Sequence, residues 1–295
     1  MQAPEDREIK VRRGFVGIAE GQVHYRAAGL ASDHPTWPTL VMLHASPGSA
    51  RALEPLLRAF GASRHAIALD TLGNGDSAPP APADPDIAYY ADAHLRAMDA
   101  LGLGRVDLYG AHTGATMAIE IARRQPQRLR RMVLDGVSLF EGPEQEMLIA
   151  NQAPELRADL EGTQLLKVWH MVRDARLFWP WWDRRAGARR PLGLPSAESL
   201  HDGALEILKS IGTYHLSYRA ALRYAKRAAL REVGVPTLVA CAADDMLLPY
   251  LDQVADCVPG ASRTTTLGTA DPEALAETCR LLTRFLGDPQ VGDGC

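Results

Sequence analysis

The stretch Val106-Asp107-Leu108-Tyr109-Gly110-Ala111-His112-Thr113-Gly114-Ala115 decides how this 295-residue chain folds. Its first half leans apolar and predicts a strand. Its second half opens a helix-compatible run that extends to Arg124. Between them stands Gly-x-His-x-Gly, centred on His112. Two glycines permit a sharp strand-to-helix turn, which pushes the central side chain out over the sheet. The group displayed is an imidazole, a base or weak nucleophile.

Outward from this turn, strand and helix signals alternate. Strand-like segments fall at 10–18, 22–28, 39–43, 65–69, 129–134, 235–241 and 264–267. Helical patterns fall at 49–60, 88–101 and 272–286. That alternation predicts an α/β class with a largely parallel sheet. A polar, proline-containing connection spans 31–38, and only the last ten or so residues read as frayed. From about Val137 to Leu230 strand signals vanish. This helix-compatible stretch is rich in arginine and aromatics and is broken at 187–195. There are no internal repeats.

Composition narrows the function classes. A chain that is 46% hydrophobic and 23% charged is an ordinary globular one, with one large core and an insertion. Its net charge of −4 gives no reason to expect nucleic acid or a membrane surface as partner. No apolar run approaches a membrane span, and the acidic start MQAPEDREIK lacks a signal peptide's hydrophobic region, so a cytoplasmic location is expected. Cys241, Cys257, Cys279 and Cys295 have no metal-ligand spacing. Neither a disulfide framework nor a zinc site is expected, and Cys241 reads as a small core residue. Gly73-x-Gly75 has no dinucleotide fingerprint around it. No cofactor and no metal are expected.

The Gly-x-His-x-Gly turn resembles the nucleophile elbow of the α/β-hydrolase superfamily, usually Gly-x-Ser-x-Gly. Three further anchors occur in family order. Leu43-His44-Ala45-Ser46-Pro47-Gly48-Ser49 resembles its His-Gly-x-Pro-Gly-Ser turn, with Ala45 in place of the glycine. Asp70-x-x-Gly73-x-Gly75-Asp76-Ser77 resembles the loop after the fourth strand. Pro236 to Pro249, with Ala242-Ala243-Asp244-Asp245, resembles the segment that supplies the triad's acid. The resemblance covers nearly the whole chain. It implies a mostly parallel central sheet with flanking helices and a helical cap inserted after the sixth strand. The expected division is core 1–137, cap 138–230 and core 231–295.

In this family a serine attacks, a histidine takes its proton and an acid orients that histidine. Here His112 holds the serine's position and Asp245 the acid's, with Asp244 beside it. The triad histidine should follow the last strand, yet the chain reads Leu267-Gly268-Thr269-Ala270-Asp271-Pro272-Glu273 and has no histidine after His215. Standard serine hydrolysis is excluded. An imidazole on the elbow reaches about one ring further than a serine hydroxyl, which brings it within range of Asp245 directly or through one water. A neighbouring carboxylate would raise its pKa and fix its tautomer, as suits a general base. Asp135, at the end of the next strand, is the alternative acid.

The resemblance implies an oxyanion hole from the backbone N–H groups of Ser46 and Thr113. His44 and Ala45 are candidate substrate contacts, although His44, like Asp70, more often supports its turn. Four of the chain's five tryptophans lie in 169–185. Trp179, Trp181 and Trp182 could line a pocket, with Arg173 or Arg176 clamping a carboxylate; fastening the cap to the core is the competing role. Tyr214, His215 and Tyr218 read as core or solvated face rather than site.

The expected function is a non-canonical hydrolase acting on a small carbonyl compound, such as an aromatic or apolar acid or ester, with His112 as base or nucleophile. One alternative is a cofactor-independent lyase or isomerase in which His112 abstracts a proton. Another is a ligand-binding pseudoenzyme. The expected partner is a small-molecule substrate, and the chain a monomer or homodimer.

Overall fold

The computed structural model describes residues 9–29 and 37–287. Most of the 31–38 connection, most of the acidic start, the last residues and Cys295 lie outside the described residues. Eight strands form one sheet: β1 (Arg12–Ile18), β2 (Gly21–Ala28), β3 (Leu40–Leu43), β4 (Ala66–Leu69), β5 (Val106–Ala111), β6 (Leu129–Asp135), β7 (Thr237–Ala242) and β8 (Ser262–Thr266). Their spatial order is β1-β2-β4-β3-β5-β6-β7-β8. β1 and β2 pair antiparallel, as do β2 and β4; every later pairing is parallel.

Side-chain alternation sorts the central strands between two cores. Val41 and Leu43 of β3, Ile67 and Leu69 of β4 and Leu108 of β5 face one of them. It is completed by α2 (Ile87–Ala100) and α3 (Thr113–Arg124). Leu40 and Met42, Ala66 and Ala68, and Tyr109 face the other, against α1 (Glu54–Gly61) and α10 (Pro272–Leu286). A sheet covered on both faces needs apolar residues at both parities, which is why β3 and β4 read as continuous apolar runs.

Five helices intervene between β6 and β7: α4 (Gly142–Asn151), α5 (Thr163–Leu177), α6 (Ala197–Lys209), α7 (Tyr214–Arg223) and α8 (Lys226–Leu230). They have an apolar cluster of their own, with Val168, Met171, Ile207 and Tyr214. Polar contacts tie them to the loops at the carboxyl ends of the strands. Ser217 hydrogen-bonds Ser46 Oγ at 3.0 Å, Ser49 donates to Glu206, and the Thr213 hydroxyl donates to Gly73 O at 2.7 Å. α9 (Leu251–Cys257) follows β7. No helix among the described residues is long and apolar enough to cross a membrane.

Candidate active site

The turn at His112 is as sharp as its glycines suggest. His112 adopts φ 49° and ψ −104°, the one positive-φ non-glycine residue among those described. A side chain is strained there, by on the order of 1–3 kcal/mol, and persists only where its surroundings hold it. The His112 N–H donates to Asp135 O at 2.8 Å, fixing the turn to the end of β6. Gly114 is required by contact rather than conformation: a Cβ there would stand 2.3 Å from Leu43 O. α3 thus starts directly against the end of β3.

The imidazole reaches the acid directly. His112 Nε2–H donates to Asp245 Oδ2 at 2.7 Å, while Asp245 Oδ1 accepts the Leu247 amide at 2.8 Å. The carboxylate is therefore held from both ends. Because a carboxylate only accepts, the proton sits on Nε2 and the Nδ1 lone pair is left without a partner among the described residues. The His112 side chain is 33% exposed and Asp245 17%. Burial pulls the His112 pKa down, but the hydrogen bond and charge of Asp245, with the charge of Asp135, outweigh it and leave it above the ordinary value. Asp245, although burial raises it, is held low by the same contact.

Asp135 is not the partner of the imidazole. Its carboxylate accepts the Tyr109 hydroxyl at 2.6 Å, and burial raises its pKa. Tyr109 claims this carboxylate from the neighbouring strand, so Asp135 supports His112 by its backbone oxygen and by charge. Gly136 follows at φ 65°, where a Cβ would lie 2.6 Å from His112 Cδ2 and Nε2.

A cavity of about 320 Å³ opens over the dyad, between the carboxyl ends of the strands and the inserted helices. Ser46, Thr113 and His112 form part of its floor, and Phe140, Trp179, Trp181 and Met171 part of its apolar wall. As the first residue of α3, Thr113 has an amide with no carbonyl one turn back in the helix. Among the described residues, none beyond Leu247 lines the cavity, so the segment that would carry a triad histidine contributes nothing to it.

The structure divides the other candidates. Trp179 and Trp181 line the cavity, Trp179 stacked on Phe140 at 6.2 Å and Trp181 donating its indole N–H to Gln152 O at 3.0 Å. Trp182 does not line it; its indole nitrogen is buried without a partner among the described residues. Arg176 reaches the cavity, whereas Arg173 is committed to Asp174 at 2.8 Å. His44 and Ala45 do not line it either. His44 is fully buried, donating from Nδ1 to Ala45 O at 2.7 Å and accepting the Thr71 amide on Nε2 at 3.0 Å. Burial lowers its pKa, so it is a neutral brace for the turn. Tyr218, read from sequence as core or surface, lines the cavity. Tyr214 is core, with its hydroxyl donating to Pro154 O at 2.5 Å.

Two cations in the wall were not singled out from sequence, Arg190 and Lys226. Arg190 is delivered by a short antiparallel pairing: Phe178 bridges Arg189, and the Arg190 N–H donates to Leu177 O at 2.8 Å. Its guanidinium then donates to Ala175 O at 3.0 Å and Asp244 O at 2.7 Å.

A doubly covered, mostly parallel sheet with its histidine–acid pair on the elbow and β7 loops defines a class, the α/β-hydrolase fold. The chain belongs to that family: its model, described as alpha/beta hydrolase fold, matches residues 38–263. The chain is 26% identical over 242 residues to the "Putative carbamate hydrolase RutD" of Pseudomonas syringae pv. syringae (strain B728a), covering 79% of this chain and 86% of that one. It is 35% identical over 139 residues to the 2-hydroxy-6-oxononadienedioate/2-hydroxy-6-oxononatrienedioate hydrolase of Paraburkholderia xenovorans (strain LB400). That match covers 41% of this chain and 43% of the relative. Among solved structures, a hydrolase from Pseudomonas aeruginosa PA01 superimposes with a TM-score of 0.69 at 23% identity, covering 93% of this chain and 98% of that one. The fold is the shared one, and the related proteins are hydrolases.

Proposed function

We propose that this chain hydrolyses a small carbonyl compound with His112 in place of both the serine and the histidine of a serine hydrolase. Residues 138–230 serve as the cap over a core of 1–137 and 231–295. The observation that carries this reading is the 2.7 Å contact of His112 Nε2 with Asp245, which leaves Nδ1 as a basic lone pair without a partner among the described residues. As general base, Nδ1 takes a proton from water while the oxygen adds to the carbonyl carbon. Asp245 stabilises the imidazolium that forms. The carbonyl oxygen, now negative, is received by the Ser46 and Thr113 amides. Collapse expels the leaving group, which receives the proton from Nδ1. In the covalent version Nδ1 itself adds to the carbonyl, and the adduct collapses by breaking the bond to the leaving group, which takes a proton from water. A second water then hydrolyses the acyl-imidazole to release the acid and the free ring.

The apolar wall around Trp179 and Trp181 suits a substrate with an aromatic or aliphatic body, and Arg176 at the cavity suits one with an acid group. The hydrolases among the relatives support the same reaction class. The test is incubation of the wild-type protein with esters, lactones, amides and β-keto acids in ¹⁸O-labelled water. Hydrolysis predicts a product mass raised by one ¹⁸O. Conversion without label would instead mark elimination or rearrangement by proton abstraction. Retention of a ligand with no conversion would mark a binding protein.

A further inference from the structure

Lys226 opens α8 and is 7% exposed, with its side chain on the wall of the reaction cavity. Its ammonium donates to Ala221 O, and among the described residues no carboxylate lies within ion-pair distance of it. Among the described residues, two of its three N–H donors therefore have no acceptor. A buried, unpaired cation is expensive, so its burial pushes the pKa down to about 8.

What surrounds it points to a ligand. Among the described residues no aspartate or glutamate lines the reaction cavity, while Arg176, Arg190 and Lys226 all do. Arg190 is half-buried and gives two of its five N–H donors to backbone carbonyls, and Arg176 is exposed to solvent. Lys226 is the buried one with donors to spare. It also stands in the partition between this cavity and a second one of about 400 Å³, with Ser138 and Phe140. The carboxylate of that second cavity, Glu141, is taken by Arg227 at 2.9 Å, so it does not neutralise Lys226.

We propose that Lys226 anchors a carboxylate of the ligand in the reaction cavity, so that the substrate is a small organic acid whose apolar body packs against Phe140 and Trp179. This rests on the reading of that cavity as the substrate site. The anchored carboxylate takes no part in the chemistry at His112.

The test compares benzoate with its neutral isostere benzamide, as dissociation constants from ligand-observed NMR. The wild-type protein should favour benzoate by about ten- to a hundred-fold, the range of one hydrogen bond to a charged group. Lys226→Met should bind benzamide as the wild type does and lose the preference for the acid. Unchanged benzamide affinity shows that the cavity is intact. His112→Ala should keep the preference, which separates anchoring from catalysis. If Lys226→Met still prefers benzoate, the arginines do the binding and the proposal is wrong. Equal wild-type affinities, or no benzoate binding, overturn it as well. Should the preference hold while the wild type converts no carbonyl compound, the anchor stands and the hydrolytic reading falls.

Discussion

Replacing Asp245 by Asn removes one charge and keeps the shape of the side chain. In the native protein that charge faces His112 Nε2 at 2.7 Å, and its other oxygen is fixed by the Leu247 amide. A charge-assisted hydrogen bond contributes about 1.5–3 kcal/mol. The imidazole is 33% exposed, so solvent screening puts the expected loss of stability nearer 1–2 kcal/mol. The loss must depend on pH. His112 titrates above its ordinary 6.5 in the folded chain and Asp245 below its ordinary 3.8. The ionic contribution is therefore complete between those two values. It fades as pH falls through the folded pKa of Asp245, or rises through that of His112. Urea unfolding should show Asp245→Asn weakened more at pH 5 than at pH 9. NMR titration should show the His112 ring in the variant titrating lower than in the wild type. With the Asn amide N–H turned to the ring, Nε2 accepts a hydrogen bond and the ring proton moves to Nδ1, so the base is lost and kcat should fall by about 10²–10⁴. Equal destabilisation at both pH values, with an unmoved His112 titration, would refute the electrostatic pairing.

Gly136→Ala places a methyl 2.6 Å from the imidazole at a backbone φ of 65°, so it should push His112 off Asp245. Turnover should drop in a folded protein destabilised by about 1–2 kcal/mol, and thermal unfolding beside kinetics will show whether the two separate. Tyr109→Phe strips the Asp135 carboxylate of its hydroxyl donor and should cost about 1–3 kcal/mol. Because burial already raises the Asp135 pKa, that deficit should grow as pH rises from 4 to 8; urea unfolding showing a flat difference would count against it.

The sheet and its order of elements were legible because β3, β4 and β5 are short apolar runs bounded by turn residues. The elbow was legible because only glycine tolerates the contacts at Gly114. Motif position brought out Asp245, but could not separate it from Asp135, since both follow strands at the same sheet edge. That choice is made by Tyr109, which takes Asp135 from the neighbouring strand. The inserted helices were harder to read. Trp181 and Trp182 are adjacent and alike in composition, yet only the first lines the cavity, with its indole N–H held by Gln152 O. Arg190 arrives through the Phe178–Arg189 pairing, for which no periodic signal exists. Lys226 looks like any surface lysine until α8 is packed. His44 carries the opposite lesson, because a histidine in a motif loop proves to be braced on both nitrogens.

In the proposed reaction the imidazole on the elbow is the reactive group. The most direct test is the turnover number of wild type and His112→Ala on the first carbonyl substrate found, at saturating concentration, with thermal unfolding confirming both are folded. The variant's turnover should fall by at least about 10²-fold, the lower bound for loss of a general base. Turnover by His112→Ala equal to that of the wild type would contradict it.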